Sequence, residues 1–185
     1  MPWLCSRLAA ALFLALLALL ALLAGCAGQA PAPPGVTVEQ VNLVLYQGRW
    51  HEIASSQPWF QSGCVCTQAD YLLHGDEMVI KNTCRQHSSQ GQEYVRTGIA
   101  RAVPGTGNAQ LSVSFHWPWR GGYWVLGLDP DYQWALVGSP DRKNLWVLAR
   151  EPRLDPGLFI RLLEMAQLKG FDTSRVHKTE QECAR

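Results

Sequence analysis

The sequence has none of the short motifs on which familiar enzyme chemistry depends. Its 185 residues contain no H-E-x-x-H pair, no G-x-S-x-G turn and no glycine-rich phosphate loop. The five histidines, at positions 51, 74, 87, 116 and 177, are scattered and follow no metal-binding spacing. We therefore expect no catalytic residues, no metal and no cofactor, although missing motifs do not by themselves exclude an enzyme.

An excess of charge of either sign is also lacking. Sixteen Lys and Arg oppose fifteen Asp and Glu, the formal net charge is +1, and no basic run stands out. Because nucleic-acid binding depends on clustered positive charge, we do not expect a nucleic-acid partner. The chain is instead rich in aromatic surface, with eight Trp that suit the lining of a cavity as well as the filling of a core.

Residues 1–25 have the pattern of a signal peptide. Arg7 precedes an uninterrupted apolar run over 8–24, which lies at the lower edge of what spans a bilayer, so a retained helix is the alternative. The segment Leu23-Ala24-Gly25-Cys26 resembles the bacterial lipobox. That resemblance implies cleavage before Cys26, a diacylglycerol anchor on its sulfur and, with Ala27 next, the outer membrane. We expect residues 26–36 to be a lipidated, Pro-rich tether and 37–185 to be the folded domain.

Four cysteines remain for the folded domain, namely Cys64, Cys66, Cys84 and Cys183. An even number in an exported chain favours two disulfides, and four cysteines allow three pairings. A metal site built from Cys64, Cys66, Cys84 and a His is the weaker alternative, because the spacing is not a C-x-x-C knuckle.

Short strands follow one another along the domain. Leu111, Val113, Phe115 and Trp117 alternate with polar residues, which is typical of a strand with one apolar face. Eight such segments are predicted, over 48–55, 64–73, 78–86, 93–103, 110–117, 122–129, 132–138 and 144–150. Eight antiparallel strands leave two edges unless they close into a barrel, and a sandwich is the alternative.

One helix favours the barrel. Asp155 can cap it, Pro156 suits its first position, and Gly170 ends it. Leu158, Leu162, Met165 and Ala166 form an apolar stripe that would pack on the outside of a barrel. A short last strand is predicted over 174–179. The predicted fold is therefore all-β: an eight-stranded up-and-down antiparallel β-barrel with one C-terminal helix on its flank.

Three segments carry a family resemblance. Gly48-Arg49-Trp50-His51-Glu52-Ile53-Ala54 resembles the first lipocalin signature, with His51 in place of the usual Tyr. Residues 126–132 and 145–150 stand where the second and third signatures belong. The chain from about 45 to 180 is similar to bacterial outer-membrane lipoprotein lipocalins of the Blc type, which are related to apolipoprotein D. The resemblance places Trp50 at the closed end of the barrel under Arg150, with Gly48 beside them.

The resemblance also implies a disulfide pairing and a ligand. It favours Cys66–Cys183, which leaves Cys64–Cys84, although the swapped pairing stays open. It implies storage or transport of fatty acids or lysophospholipids for membrane maintenance under stress, and a homodimer is possible because some relatives dimerise. The predicted ligand-binding residues, in the cavity and at its mouth, are Trp59, Phe60, Tyr71, Phe115, Trp117, Trp119 and Tyr123.

Two other functions stay open at this point. An enzyme acting on a bound lipid would need a titratable side chain that points into the cavity. A haem- or pigment-binding protein would need a histidine there, and His116 is the only strand candidate. Trp119 is predicted to lie on a loop without a strand partner, with Arg120 beside it as a solvated charge.

Overall fold

The computed structural model describes residues 31–183, and within them eight strands pair antiparallel in chain order. The predicted signal peptide and Cys26 lie outside the described residues. The strands are β1 (Gly48–Ser55), β2 (Cys64–His74), β3 (Glu77–Gln86), β4 (Glu93–Ala102), β5 (Gln110–His116), β6 (Trp119–Leu128), β7 (Trp134–Gly138) and β8 (Leu145–Ala149). Because β8 pairs with β1, the sheet closes on itself, and the predicted barrel is confirmed over the sandwich.

Four further elements complete the described chain: α1 (Leu43–Tyr46), a 3₁₀ turn (Trp59–Gln61), α2 (Pro156–Leu168) and β9 (His177–Lys178). α2 begins as predicted, since an Asp155 carboxylate oxygen accepts from the Leu158 N–H at 2.8 Å, and Gly170 follows with φ +83°. α1 was not predicted. Its cap is Asn42, whose side chain accepts from the Val44 N–H at 3.0 Å.

Apolar side chains on the two faces of the barrel wall form separate cores. The inner face contributes one cluster, which includes Trp50, Met78, Leu111, Val125 and Val137 together with Tyr46 of α1. The outer face contributes the other, in which Leu126, Leu136 and Val147 pack against Leu162 and Ala166 of α2. The predicted position of the helix on the outside is therefore confirmed. No helix in residues 31–183 has the length and apolarity needed to cross a membrane.

The end of the predicted tether lies against the barrel. Val36 is buried in the outer core, the Ala32 N–H donates to Gln110 Oε1 at 2.9 Å, and the Lys169 ammonium donates to the Gly35 carbonyl at 2.7 Å. Residues 31–36 thus have partners on the folded domain, in spite of their Pro-rich composition.

The barrel has a closed end and an open end. At the closed end β1 begins and β8 finishes, and α1 contacts this end through its Tyr46 and Leu45 carbonyls, which accept from Trp50 and Arg150. At the open end lie the β1–β2, β3–β4, β5–β6 and β7–β8 connections, over 56–63, 87–92, 117–118 and 139–144.

β1 and β2 separate towards the open end. They pair only over four residues, from Gly48 opposite Tyr71 to His51 opposite Gln68. Beyond that point the C-terminal segment, residues 177–183, lies between them. The Thr179 N–H donates to the Ile53 carbonyl of β1 at 3.0 Å, and the Cys66 N–H of β2 donates to the Glu180 carbonyl at 2.7 Å. The C-terminal segment therefore replaces the missing strand pairing.

Two disulfides fix this arrangement. Cys66 is bonded to Cys183, which ties β2 to the C-terminal segment, and Cys64 is bonded to Cys84, which ties β2 to β3. This is the pairing that the family resemblance implied. β2 is irregular between Val65 and Gln68, and Cys66 has φ +55°, so its two cysteines reach partners on opposite sides of the strand.

Glu52 is the buried acid of this region. Its carboxylate accepts from the Thr179 hydroxyl at 2.7 Å and from Gln61 Nε2 at 3.0 Å, and its backbone carbonyl accepts from Gln181 Nε2 at 2.8 Å. Burial raises the pKa of the Glu52 carboxyl above its usual value near 4.5. One side chain thus connects β1, the C-terminal segment and the 3₁₀ turn.

The two disulfides should contribute unequally to stability. They span 117 and 20 residues of sequence, and the longer loop restricts the unfolded chain more. We expect C66A/C183A to lower the free energy of unfolding by about 1.5 kcal/mol more than C64A/C84A, with each loss in the range of about 2–5 kcal/mol. Urea denaturation followed by circular dichroism measures both. Equal losses, or a larger loss for C64A/C84A, would contradict the expectation.

Glu52 should make stability depend on pH in a defined direction. A carboxyl whose folded pKa is raised stabilises the fold in its protonated form, and this contribution is lost as pH rises from about 4.5 through the folded pKa. Relative to wild type, E52Q should therefore gain stability as pH increases from 4.5 to neutral. The quantity to measure is the unfolding free energy of E52Q minus that of wild type, at several pH values across this interval. Loss of the hydrogen bond to Gln61 shifts this difference by the same amount at every pH, so its change with pH reports on the Glu52 carboxyl. The control is E180Q, an exposed residue of the same segment, and a pH-independent difference for E52Q would refute the assignment.

Candidate functional site: the interior and mouth of the barrel

Arg150 closes the barrel at the end opposite the mouth. Its guanidinium lies 3.8 Å from the centroid of the Trp50 ring, as the resemblance implied. The same group donates to three backbone carbonyls, those of Leu45, Arg49 and Tyr132, at 2.8–3.1 Å. Gly48 has φ +91°, and a Cβ there would lie 3.4 Å from Arg150 Nη1. These contacts leave the opposite end as the route for a ligand.

A row of aromatic rings rises from the closed end along the inner face. Tyr46 lies 5.0 Å from Trp50 and 5.6 Å from Tyr71, and Tyr71 lies 6.4 Å from Tyr123, between ring centroids. Burial raises the pKa of Tyr71 to about 12 and the pKa values of Tyr46 and Tyr123 well above 10. All three phenols are therefore neutral at physiological pH and can donate hydrogen bonds.

The three tyrosine hydroxyls carry three hydrogens but form only two hydrogen bonds with one another. Tyr123 Oη lies 2.7 Å from Tyr46 Oη and 3.1 Å from Tyr71 Oη, so two bonds use two of three hydrogens. Tyr46 and Tyr71 are buried, whereas Tyr123 keeps part of its surface accessible. If both buried hydroxyls donate to Tyr123, its own hydrogen is left for a group inside the barrel. The predicted interior residues Tyr71 and Tyr123 are thus brought together.

Two of the four connections at the mouth carry exposed aromatic side chains. Trp59 and Phe60 lie on the β1–β2 connection with 87% and 53% of their surface exposed. Trp117 lies in the β5–β6 connection and Trp119 directly after it, with 81% and 75% exposed. In a closed order of eight strands these two connections are four strands apart in either direction, so they face each other across the mouth. The other two connections are polar: 87–92 and 139–144.

Gln61 holds one of these aromatic connections to the barrel. Its Nε2 donates to Glu52 Oε2 at 3.0 Å, and its Oε1 accepts from Trp146 Nε1 at 2.9 Å. Glu52 and Trp146 belong to neighbouring strands, β1 and β8. The position of Trp59 and Phe60 at the mouth therefore depends on a hydrogen-bonded bridge rooted in the barrel wall, and through Glu52 on the C-terminal segment.

The structure corrects one expectation about Trp119. The residue begins β6 and pairs with His116, so it has a strand partner rather than lying on a free loop. Arg120 and the two glycines after it also belong to β6, because the turn needs only Trp117 and Pro118. Phe115, at the end of β5, covers Gly98 of β4: a Cβ on Gly98 would lie 2.6 Å from Phe115 Cδ1. Phe115 thus lies over the inner face near the mouth.

The haem or pigment alternative depends on His116, and the enzyme alternative depends on a titratable group in the cavity. His116, the candidate for a haem or pigment ligand, is exposed at the end of β5. The Glu52 carboxylate is the buried acid, and both its oxygens already accept hydrogen bonds. His51 lies on the outward face of β1, where burial lowers its pKa, and its Nδ1 has no partner among the described residues. Within residues 31–183, no three His, Cys, Asp or Glu side chains are placed to hold a metal ion.

Two surface depressions lie elsewhere, at the closed end. One, of about 340 Å³, is lined by Leu45, Tyr132 and Arg150 among others, and the second, of about 410 Å³, by Leu43, Leu73 and Asn108 among others. Neither contains a predicted ligand-binding residue. The first is lined by Arg150 itself, and we do not assign a ligand to either.

Sequence patterns did not identify a polar pair on the inner face near the mouth. Asn82 of β3 lies opposite Arg96 of β4 in the strand register. In β4 the larger apolar residues, Val95 and Ile99, point outwards. If the apolar residues of the sequence are assumed to face the interior, Arg96 is therefore placed on the outside of the barrel. The β3–β4 register is what reveals the orientation of Arg96.

Comparisons with known proteins agree with this geometry. The family model described as a lipocalin-like domain matches residues 41–181. The chain is 37% identical to temperature-induced lipocalin-1 of Arabidopsis thaliana over 153 residues, covering 78% of this chain and 81% of that protein. It is 35% identical to outer membrane lipoprotein Blc of Escherichia coli (strain K12) over 148 residues, covering 79% and 84%.

A solved structure gives the same result for the fold. Insecticyanin from the tobacco hornworm Manduca sexta aligns with a TM-score of 0.65 at 21% identity, covering 82% of this chain and 86% of that chain. At this identity the likeness concerns the fold alone. The family match, which spans most of the chain, and the two relatives above 30% identity go further. With the closed barrel, the outer helix and the Arg150–Trp50 seal, they establish that the chain belongs to the lipocalin family.

Proposed function

We propose that this protein binds lipids, specifically fatty acids or lysophospholipids, inside its barrel and stores or transports them at the outer membrane. In this proposal it is a binding protein, not an enzyme, and it serves membrane maintenance under stress. Its domain is held at the membrane by acyl chains on Cys26, after removal of residues 1–25. The lipobox resemblance and the similarity to an outer membrane lipoprotein support this location.

The observation that carries the proposal is the pair of aromatic connections facing each other across the mouth. Exposed apolar side chains that form a contiguous patch mark sites of contact with apolar molecules, and the Trp59 and Phe60 ring centroids lie 5.8 Å apart. Here they border the open end of a barrel whose inner face is apolar. Trp59, Phe60, Trp117 and Trp119 would contact an acyl chain as it enters, and Phe115 would contact it just inside.

The interior provides sufficient driving force for such a ligand. Each CH₂ group removed from water contributes about 0.8 kcal/mol, so a long acyl chain needs few polar contacts to bind. Tyr71 and Tyr123 would line the deeper part of the path. The Tyr123 hydroxyl, whose hydrogen is left over when Tyr46 and Tyr71 both donate to it, would be the polar group that the buried part of the chain approaches.

Native mass spectrometry tests the proposal. The domain from residue 31 onward contains both cores and both disulfides, and it would be delipidated and then mixed with fatty acid or lysophospholipid. We expect one lipid per chain, or one per dimer, bound reversibly. We expect W117A/W119A to weaken binding. The matched control is W134A, which truncates a residue of the outer core away from the mouth. A folded protein that stays empty with every lipid and every hydrophobic dye would refute the proposal.

A further inference from the structure

The β3–β4 hairpin presents alternating residues to the inside of the barrel. In its register Met78 lies opposite Ala100, and Ile80 lies opposite Gly98. Met78, Ile80 and Ala100 belong to the inner core, so this set of positions faces inwards. Continuing by twos towards the open end, the next opposed pair is Asn82 with Arg96, followed by Cys84 with Tyr94.

Arg96 is the inward-facing cation of the barrel wall. The other Lys and Arg residues of β1–β8 occupy outward positions: Arg49, Lys81, Arg85, Arg101 and Arg120. On the same hairpin, Arg85 pairs with Glu93 and Arg101 pairs with Glu77. Arg96 has no carboxylate within 4 Å in residues 31–183. Arg96 is therefore an inward-facing cation for which residues 31–183 supply no counterion.

The guanidinium of Arg96 keeps most of its donors free. Its Nε donates to the Tyr94 hydroxyl, and its Cζ lies 5.2 Å from the centroid of the Tyr94 ring, which fixes the side chain on the inner rim. Nη1 and Nη2 have no acceptor among the described residues. Directly opposed residues on neighbouring strands have Cβ atoms about 4.5–5.5 Å apart, so the Asn82 amide is within reach of the same ligand atom.

We propose that Arg96, assisted by Asn82, binds the anionic headgroup of the lipid, a carboxylate or a phosphate, while the acyl chain extends down the barrel. The proposal rests on the lipid-binding function proposed above and specifies the orientation and charge of the ligand. A guanidinium presents paired N–H groups that match the two oxygens of either anion. Phe115, which covers Gly98 one step deeper on the same face, would receive the first carbons of the chain.

Charge on the opposite wall does not oppose this orientation. The inward-facing acid is Glu52 on β1, and its carboxyl is occupied by Thr179 and Gln61. β1 and β4 are separated by two strands on one side and four on the other, so Glu52 and Arg96 lie far apart around the wall. An anion bound at Arg96 is therefore close to the hydrogen-bond donors of the β3–β4 hairpin and far from the Glu52 carboxyl.

The test uses three ligands with the same twelve-carbon chain: dodecanoate, dodecyl phosphate and neutral dodecan-1-ol. Their affinities are measured by displacement of a hydrophobic fluorescent dye from the wild-type domain and from R96Q. We expect R96Q to weaken binding of the two anions about tenfold, at the low end for a hydrogen-bonded charge because the site is open to solvent. Dodecan-1-ol should bind R96Q and wild type within about twofold of each other. The relative losses for dodecanoate and dodecyl phosphate indicate which headgroup the site prefers.

Two further variants test whether the effect depends on the position of the charge and on the shape of the charged group. R101Q removes a cation from the outward face of the same strand and should leave all three affinities unchanged. R96K keeps the charge without the planar fork and should retain part of the affinity for the anions. Equal weakening of dodecan-1-ol by R96Q, or an equal effect of R101Q on the anions, would overturn the headgroup assignment. If wild type binds none of the three ligands, the lipid-binding function itself fails, and the assignment fails with it.

Discussion

The separation of β1 from β2 above His51 is the constraint on which the upper half of this barrel depends. A closed sheet cannot leave backbone groups of two neighbouring strands without partners in a buried place. Here residues 177–183 supply them, through the Thr179 N–H on one side and the Glu180 carbonyl on the other. The Cys66–Cys183 bond joins this segment covalently to β2. The C-terminal segment is thus part of the wall between β1 and β2.

The same constraint positions the mouth. Glu52 lies where the strands part, and its carboxylate joins Thr179 of the C-terminal segment to Gln61 of the β1–β2 connection. Gln61 in turn accepts from Trp146, so the aromatic connection with Trp59 and Phe60 is tied to two strands. The rigid seal around Arg150 at the other end leaves the mouth as the place where a ligand can enter. Structure at one end of the chain therefore determines geometry at the proposed binding site.

Much of the fold could be predicted from local pattern. The alternation in β5, the capping by Asp155 and Gly170 and the signature around Trp50 are short-range features, and each specifies its own element. The bridge through Glu52 could not be predicted, because it joins residues 127 positions apart and depends on where β1 and β2 diverge. The inward position of Arg96 could not be predicted for a different reason. Val95 and Ile99 are larger apolar residues on the outward face, so periodicity alone indicates the wrong orientation for β4.

In the proposed complex a lipid lies in the barrel with its headgroup at the rim and its chain pointing to the closed end. Fatty acids carrying a nitroxide at either end would test it, through the loss of intensity they cause in the amide signals of nearby residues in an NMR spectrum. A label near the methyl end should attenuate Met78 and Val125 in the inner core, and a label near the carboxylate should attenuate Asn82 and Arg96. Attenuation of Leu72 and Ile99 on the outer face by both labels, with the inner residues unaffected, would contradict this placement of the lipid.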